Sequence, residues 1–99
     1  MDALKYLMGA YFHQDWVLDG GQSADTVDSF LRERRERVAQ TADEIDVLIQ
    51  KQLPEGELER RLDEWGCAYR AGDTDDDYRR WLAEIRDQLR SFLTTSAAS

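Results

Sequence analysis

The chain has 99 residues, enough for one domain that buries over roughly 60% of the surface its unfolded form exposes, and 41% of them are hydrophobic. Its 21 acids against 13 bases give a formal net charge of −8, which repels phosphate backbones and anionic lipid and argues against direct binding of nucleic acid or membrane. No run reaches the roughly 18 apolar residues of a membrane span, and one cysteine, Cys67, permits no internal disulfide and fits a reducing compartment.

Apolar spacing predicts an all-α fold, a single bundle of about five helices over residues 1–93 with a flexible tail over 94–99. Asp2 is placed to cap a first helix with Leu4, Leu7, Met8 and Tyr11 on one face, fraying near His13. The start of the chain lacks the basic region and cleavage site of a secretory signal, so a cytoplasmic protein is expected. Tyr11-Phe12-His13-Gln14-Asp15-Trp16 packs three large rings around the only histidine. Rings this dense belong in a core, and a buried imidazole or indole N–H needs a partner that Gln14 or Asp15 can supply.

Gly20-Gly21 marks a turn, after which Ser23 reads as the N-cap of a second helix burying Val27, Phe30 and Leu31. A bend is expected near Arg34 to Glu36, followed by a helix with Val38, Ala42, Ile45, Leu48, Ile49 and Leu53 at spacings of three and four. Pro54 suits the first turn of a fourth helix, lined by Leu58, Leu62 and Trp65 and closed by Gly66. Cys67 to Gly72 connect to the last helix, with Tyr69 inward and Asp73 or Thr74 as cap. Tyr78, Trp81, Leu82, Ile85, Leu89 and Phe92 form its stripe.

Catalytic candidates are sparse. His13 is the only group with an unperturbed near-neutral pKa, and Asp15 could orient it, but no serine or cysteine lies nearby in sequence as a nucleophile. Neither a phosphate-binding loop nor a dinucleotide fingerprint is present, so no cofactor is expected. One histidine and one cysteine cannot furnish a structural zinc site. Asp73, Asp75, Asp77 and Glu84 fall at calcium-loop spacing, yet Tyr78 stands where that loop needs glycine. Aspartates in a first helical turn more simply complement the helix dipole.

Charge spacing sorts the acids. Asp28 with Arg32, Glu33 with Arg37, and Glu57 with Arg61 have (i, i+4) spacing, as do Asp75 and Asp76 with Arg79 and Arg80. Asp43, Glu44 and Asp46 have no base at that offset, nor do Asp73 and Asp77. From Val38 to Glu59 six acids face Lys51 alone. Such an uncompensated stretch costs stability through self-repulsion, so it points to a cationic partner, with a plain solvated helix face as the alternative.

The ordered elements carry a resemblance. Leu4-Lys5-Tyr6-Leu7-Met8-Gly9 leads into the Tyr11–Trp16 run. Thr26 to Phe30, Glu36-Arg37-Val38, Leu62 with Gly66-Cys67-Ala68-Tyr69, and Tyr78-Arg79-Arg80-Trp81-Leu82 follow in order. From Leu4 to Leu89 the chain resembles the immunity proteins of bacterial contact-dependent growth inhibition systems. One departure is Arg35, where such proteins often carry proline. The resemblance implies a non-enzymatic inhibitor that binds the C-terminal toxin domain of a cognate exoprotein, commonly a nuclease. Toxin contact is expected at variable exposed acids, namely Asp43, Glu44, Asp46, Asp73, Asp75, Asp76 and Asp77. Two rivals are an acidic helical adaptor for another basic protein and a hydrolase built on His13 and Asp15.

Overall fold

The computed structural model describes residues 2–12, 23–67 and 71–98. Five helices follow in order, α1 (Asp2–Tyr11), α2 (Ser23–Phe30), α3 (Arg35–Gln50), α4 (Glu57–Glu64) and α5 (Asp75–Ala98). There is no strand among the described residues. α3 and α5 make the largest pairing, α1 lies on α3, α2 bridges α1 and α5, and α4 leans on α5. At about 1.5 Å per residue, α5 is roughly 36 Å long. It therefore runs nearly the full 41 Å long axis of the molecule.

The core is the set of stripes that the spacing predicts. Leu4, Leu7 and Met8 of α1, Val27 and Phe30 of α2, and Val38, Ala42, Ile45 and Leu48 of α3 are buried together. Leu58 and Leu62 of α4 join them, with Tyr78, Trp81, Leu82, Ile85 and Leu89 of α5. Tyr11, Leu31, Ile49, Leu53, Trp65 and Phe92 pack at the edge, half-buried. Phe12 ends α1 and is fully buried, its ring edge-on to Trp81 at 5.1 Å between centroids. His13, Gln14, Asp15, Trp16 and Tyr69 lie outside the described residues.

Helix ends show where local chemistry decides. α2 stops at Phe30, and Arg34 is extended (φ −56°, ψ 141°) before α3 begins, so the break covers the bend expected near Arg34. Arg32 has therefore left the helix, and Asp28 instead accepts from Gln88 Nε2 of α5 at 3.1 Å. α4 begins at Glu57 rather than at Pro54. The Glu57 N–H closes a turn on the Pro54 carbonyl, and Gly56 at φ 90° takes the left-handed conformation that only glycine adopts without strain.

Gly66 closes α4 as its spacing predicts. Cys67 N–H donates to the Leu62 carbonyl and Gly66 N–H to that of Asp63, the double bond pattern of a Schellman end, with Gly66 at φ 94°. A Cβ at Gly66 would lie 3.3 Å from the Cα of Gly9, so α1 touches this corner backbone to backbone. α5 is capped by Thr74, whose Oγ1 accepts the Asp77 N–H while Asp77 Oδ2 accepts the Thr74 N–H, a reciprocal capping box. The helix continues through 94–98, beyond its apolar stripe, where neither glycine nor proline interrupts it.

Candidate interaction surface

The seven acids singled out from sequence occupy three kinds of site. Asp75 is buried, with 1% of its surface exposed. Its carboxylate reaches back to α4, where Oδ2 accepts the N–H groups of Gly56 (2.9 Å) and Leu58 (3.2 Å) and Oδ1 that of Glu59 (3.3 Å). In return Glu55 Oε1 accepts the Asp75 N–H at 3.3 Å, so each helix start is tied to the other. Asp75 thus supplies the side-chain cap that α4, with Gly56 at its N-cap, cannot make for itself.

Glu44 does the same for α1. Its Oε1 accepts the Leu4 N–H at 2.9 Å, and its Oε2 accepts from Gln40 Nε2 at 2.7 Å. Asp2, expected as the cap, stands inside the first turn of α1 and complements its dipole there. Asp77 closes the capping box of α5, and the backbone N–H groups of Thr74 and Asp73 hold its carboxyl below the usual range. These acids point at three separate helix starts and not at one centre. Among the described residues no group of acids, cysteine and histidine converges as a metal site.

Asp46 and Asp43 meet cations across the α3–α5 seam. Asp46 Oδ1 accepts from Arg86 at 2.8 Å, and Arg90 lies 3.5 Å from Asp46 and 3.6 Å from Asp43. The hydrogen bond from Arg86 holds the Asp46 carboxyl below its ordinary value. Spacing along α3 alone cannot reveal partners that a second helix supplies. Even so, the side chain of Asp43 keeps 77% of its surface exposed, and that of Asp76, paired with Arg79 at 2.6 Å, keeps 80%. Asp73 is exposed, and among the described residues its carboxylate has no partner.

A second surface feature was not legible as a site. Glu33, in the turn between α2 and α3, accepts from Tyr11 Oη at 2.6 Å and Tyr6 Oη at 3.2 Å, while Arg37 Nε lies 3.8 Å away. The Arg37 guanidinium sits over the Tyr6 ring, 4.3 Å from its centre. Tyr6 also meets Tyr11 edge-on at 6.1 Å and Phe30 at 6.4 Å. Beside this cluster opens a cleft of about 410 Å³ lined by Asp2, Ala3, Arg34, Glu36, Arg37 and Gln40. The alternation of arginine and glutamate from Arg32 to Arg37 is the available signal, and its net charge of only +2 reads as self-compensated.

Burial and the adjacent Glu33 carboxylate push the Tyr11 phenol from 10.0 up to about 12. A raised pKa means that the unfolded chain ionises first, so stability is intact below pH 10 and falls as pH climbs toward about 12. Melting temperatures measured across that window should decline in the wild type and decline less steeply in Tyr11→Phe. Identical alkaline slopes would disconnect the phenol from folding.

A family model described as CdiI immunity protein matches residues 1–89. Among solved structures, the chain is similar to one in the crystal structure of the CdiA-CT/CdiI complex from Y. kristensenii 33638, at 29% identity and a TM-score of 0.76, covering 89% of this chain and 96% of that one. No curated protein is a significant match. No helix among the described residues is long and apolar enough to cross a membrane.

Proposed function

Because the chain belongs to the CdiI immunity protein family, we propose that it binds and neutralises the C-terminal toxin domain of a cognate contact-dependent growth inhibition exoprotein. It does so in the cytoplasm, by occupancy alone and without turnover. The observation that carries this is the fold shared with a chain solved as part of a CdiA-CT/CdiI complex. The toxin is a nuclease in this reading, because a chain of net charge −8 is suited to the basic surface that a nucleic-acid enzyme must present.

Asp43, Asp73 and Asp76 are the predicted acids best placed to meet it, with their carboxylates facing solvent. Exposed charges raise the encounter rate more than they hold a complex. Their attraction fades within a Debye length, about 8 Å at physiological salt. The association rate should therefore fall about tenfold or more between low and physiological ionic strength. Stopped-flow mixing with the toxin domain measures this directly, and a flat salt dependence would remove the steering role. The function itself is tested by protection. Cells expressing the chain should survive the toxin domain of the adjacent exoprotein and co-purify it, and equal killing of expressing and naive cells would refute the assignment.

A further inference from the structure

We propose that the toxin domain is anchored at the cleft where the starts of α1 and α3 meet, with Tyr6 and Arg37 gripping a toxin loop that carries a carboxylate beside an apolar side chain. This deepens the immunity reading and rests on it. Among the described residues only two large hydrophobic side chains are exposed, Tyr6 at 38% and Val47 at 51%. Tyr6 is not loose. Its hydroxyl is tied to Glu33, its edges meet Tyr11 and Phe30, and its face carries the Arg37 guanidinium. An exposed ring already ordered loses little entropy when a partner covers it, and tyrosine and arginine are the residues most often found at binding hot spots.

Arg37 comes nearest Glu33 through Nε, at 3.8 Å, and its side chain makes no hydrogen bond among the described residues, which leaves the two outer nitrogens of its fork available to a carboxylate. The Arg34 side chain, exposed and lining the same cleft, makes no ion pair or hydrogen bond among the described residues. These two arginines present guanidinium N–H donors on an acidic chain, a place where an acid on an otherwise basic partner can dock. Asp2 and Glu36 share the lining, which suits a single carboxylate with N–H donors beside it and disfavours a phosphate chain. From the cleft the exposed face of α3 continues through Glu36, Gln40, Asp43 and Val47. The steering acid and the second exposed hydrophobic thus extend the same surface.

The test is calorimetric titration of the purified toxin domain into the full-length chain and its variants. Tyr6→Ala and Arg34→Glu should each weaken binding about 30-fold or more, the scale of a hot-spot residue, with unchanged melting temperature for Arg34→Glu because that side chain holds nothing in the fold. Arg37→Lys should recover only part of the loss seen in Arg37→Glu, since lysine keeps the charge but not the fork. Folded Tyr6→Ala and Arg34→Glu proteins that bind within about threefold of wild type would overturn the anchor while leaving the immunity assignment standing. A wild-type chain that fails to bind the toxin domain would overturn the assignment and the anchor together. A short single-stranded RNA, titrated alone, should give no heat, and Arg34-dependent binding of it would overturn the peptide occupant.

Discussion

Phe12→Ala should lower the unfolding free energy by about 4 kcal/mol, the usual cost of emptying an aromatic site in a core. The ring is fully buried and meets Trp81 edge-on, with an interplanar angle of 86°. The Phe12 N–H also donates to the Met8 carbonyl, so the residue closes the last turn of α1 as it enters the core. Removing the ring deletes its edge-on contact with Trp81 of α5 and leaves a cavity in the core. A domain of this size holds only about 5–15 kcal/mol in total, so the variant should unfold well below the melting range of the wild type. Urea titration followed by far-UV circular dichroism measures the loss. Phe12→Leu, which refills much of the volume, should cost about half as much or less. A change below about 1 kcal/mol for the alanine variant would mean that the Phe12–Trp81 contact does not hold the helices together.

Asp75→Ala should cost about 3 kcal/mol, and roughly 15 °C of melting temperature, although it deletes no apolar contact. Three backbone N–H groups at the start of α4 lose their acceptor, and that of Leu58 is buried where water cannot replace it. Asp75→Asn keeps one acceptor oxygen but turns an N–H₂ toward other donors, so it should lie between wild type and alanine. The neighbouring Asp76→Ala, which removes one exposed pair with Arg79, should stay within about 0.5 kcal/mol. Equal effects at positions 75 and 76 would show that charge near the α5 terminus matters and the cap across to α4 does not.

These two residues also mark how far the sequence could be read. Phe12 is legible, because a dense aromatic run ending an apolar helix has few places to go but the core. Helix identities follow from spacings of three and four, and Gly66 from its position after Trp65. Asp75 is not legible in the same way. Its partners lie 16 to 19 residues earlier in the chain, and the nearby Asp73, Asp76 and Asp77 are equally acidic. Pairing by (i, i+4) found Glu33–Arg37 and Glu57–Arg61, at 3.8 and 3.2 Å. It missed Asp46 with Arg86 because that pair forms only when α3 and α5 are already side by side. Pro54 misled for a related reason. Its φ suits a helix start, but the chain first turns at Glu55-Gly56 to bring the α4 amides to Asp75.

Glu44 reaching from α3 to the start of α1 has a consequence for how such proteins diversify. α3 packs on both α1 and α5, so its exposed face can change only while its contacts to both are kept. In this chain α3 cannot be traded as a free cassette, because it brings the acceptor that finishes its neighbour's first turn. Productive recombinants should therefore inherit an acid at position 44 along with whatever outward residues they gain, or else carry a replacement near Asp2.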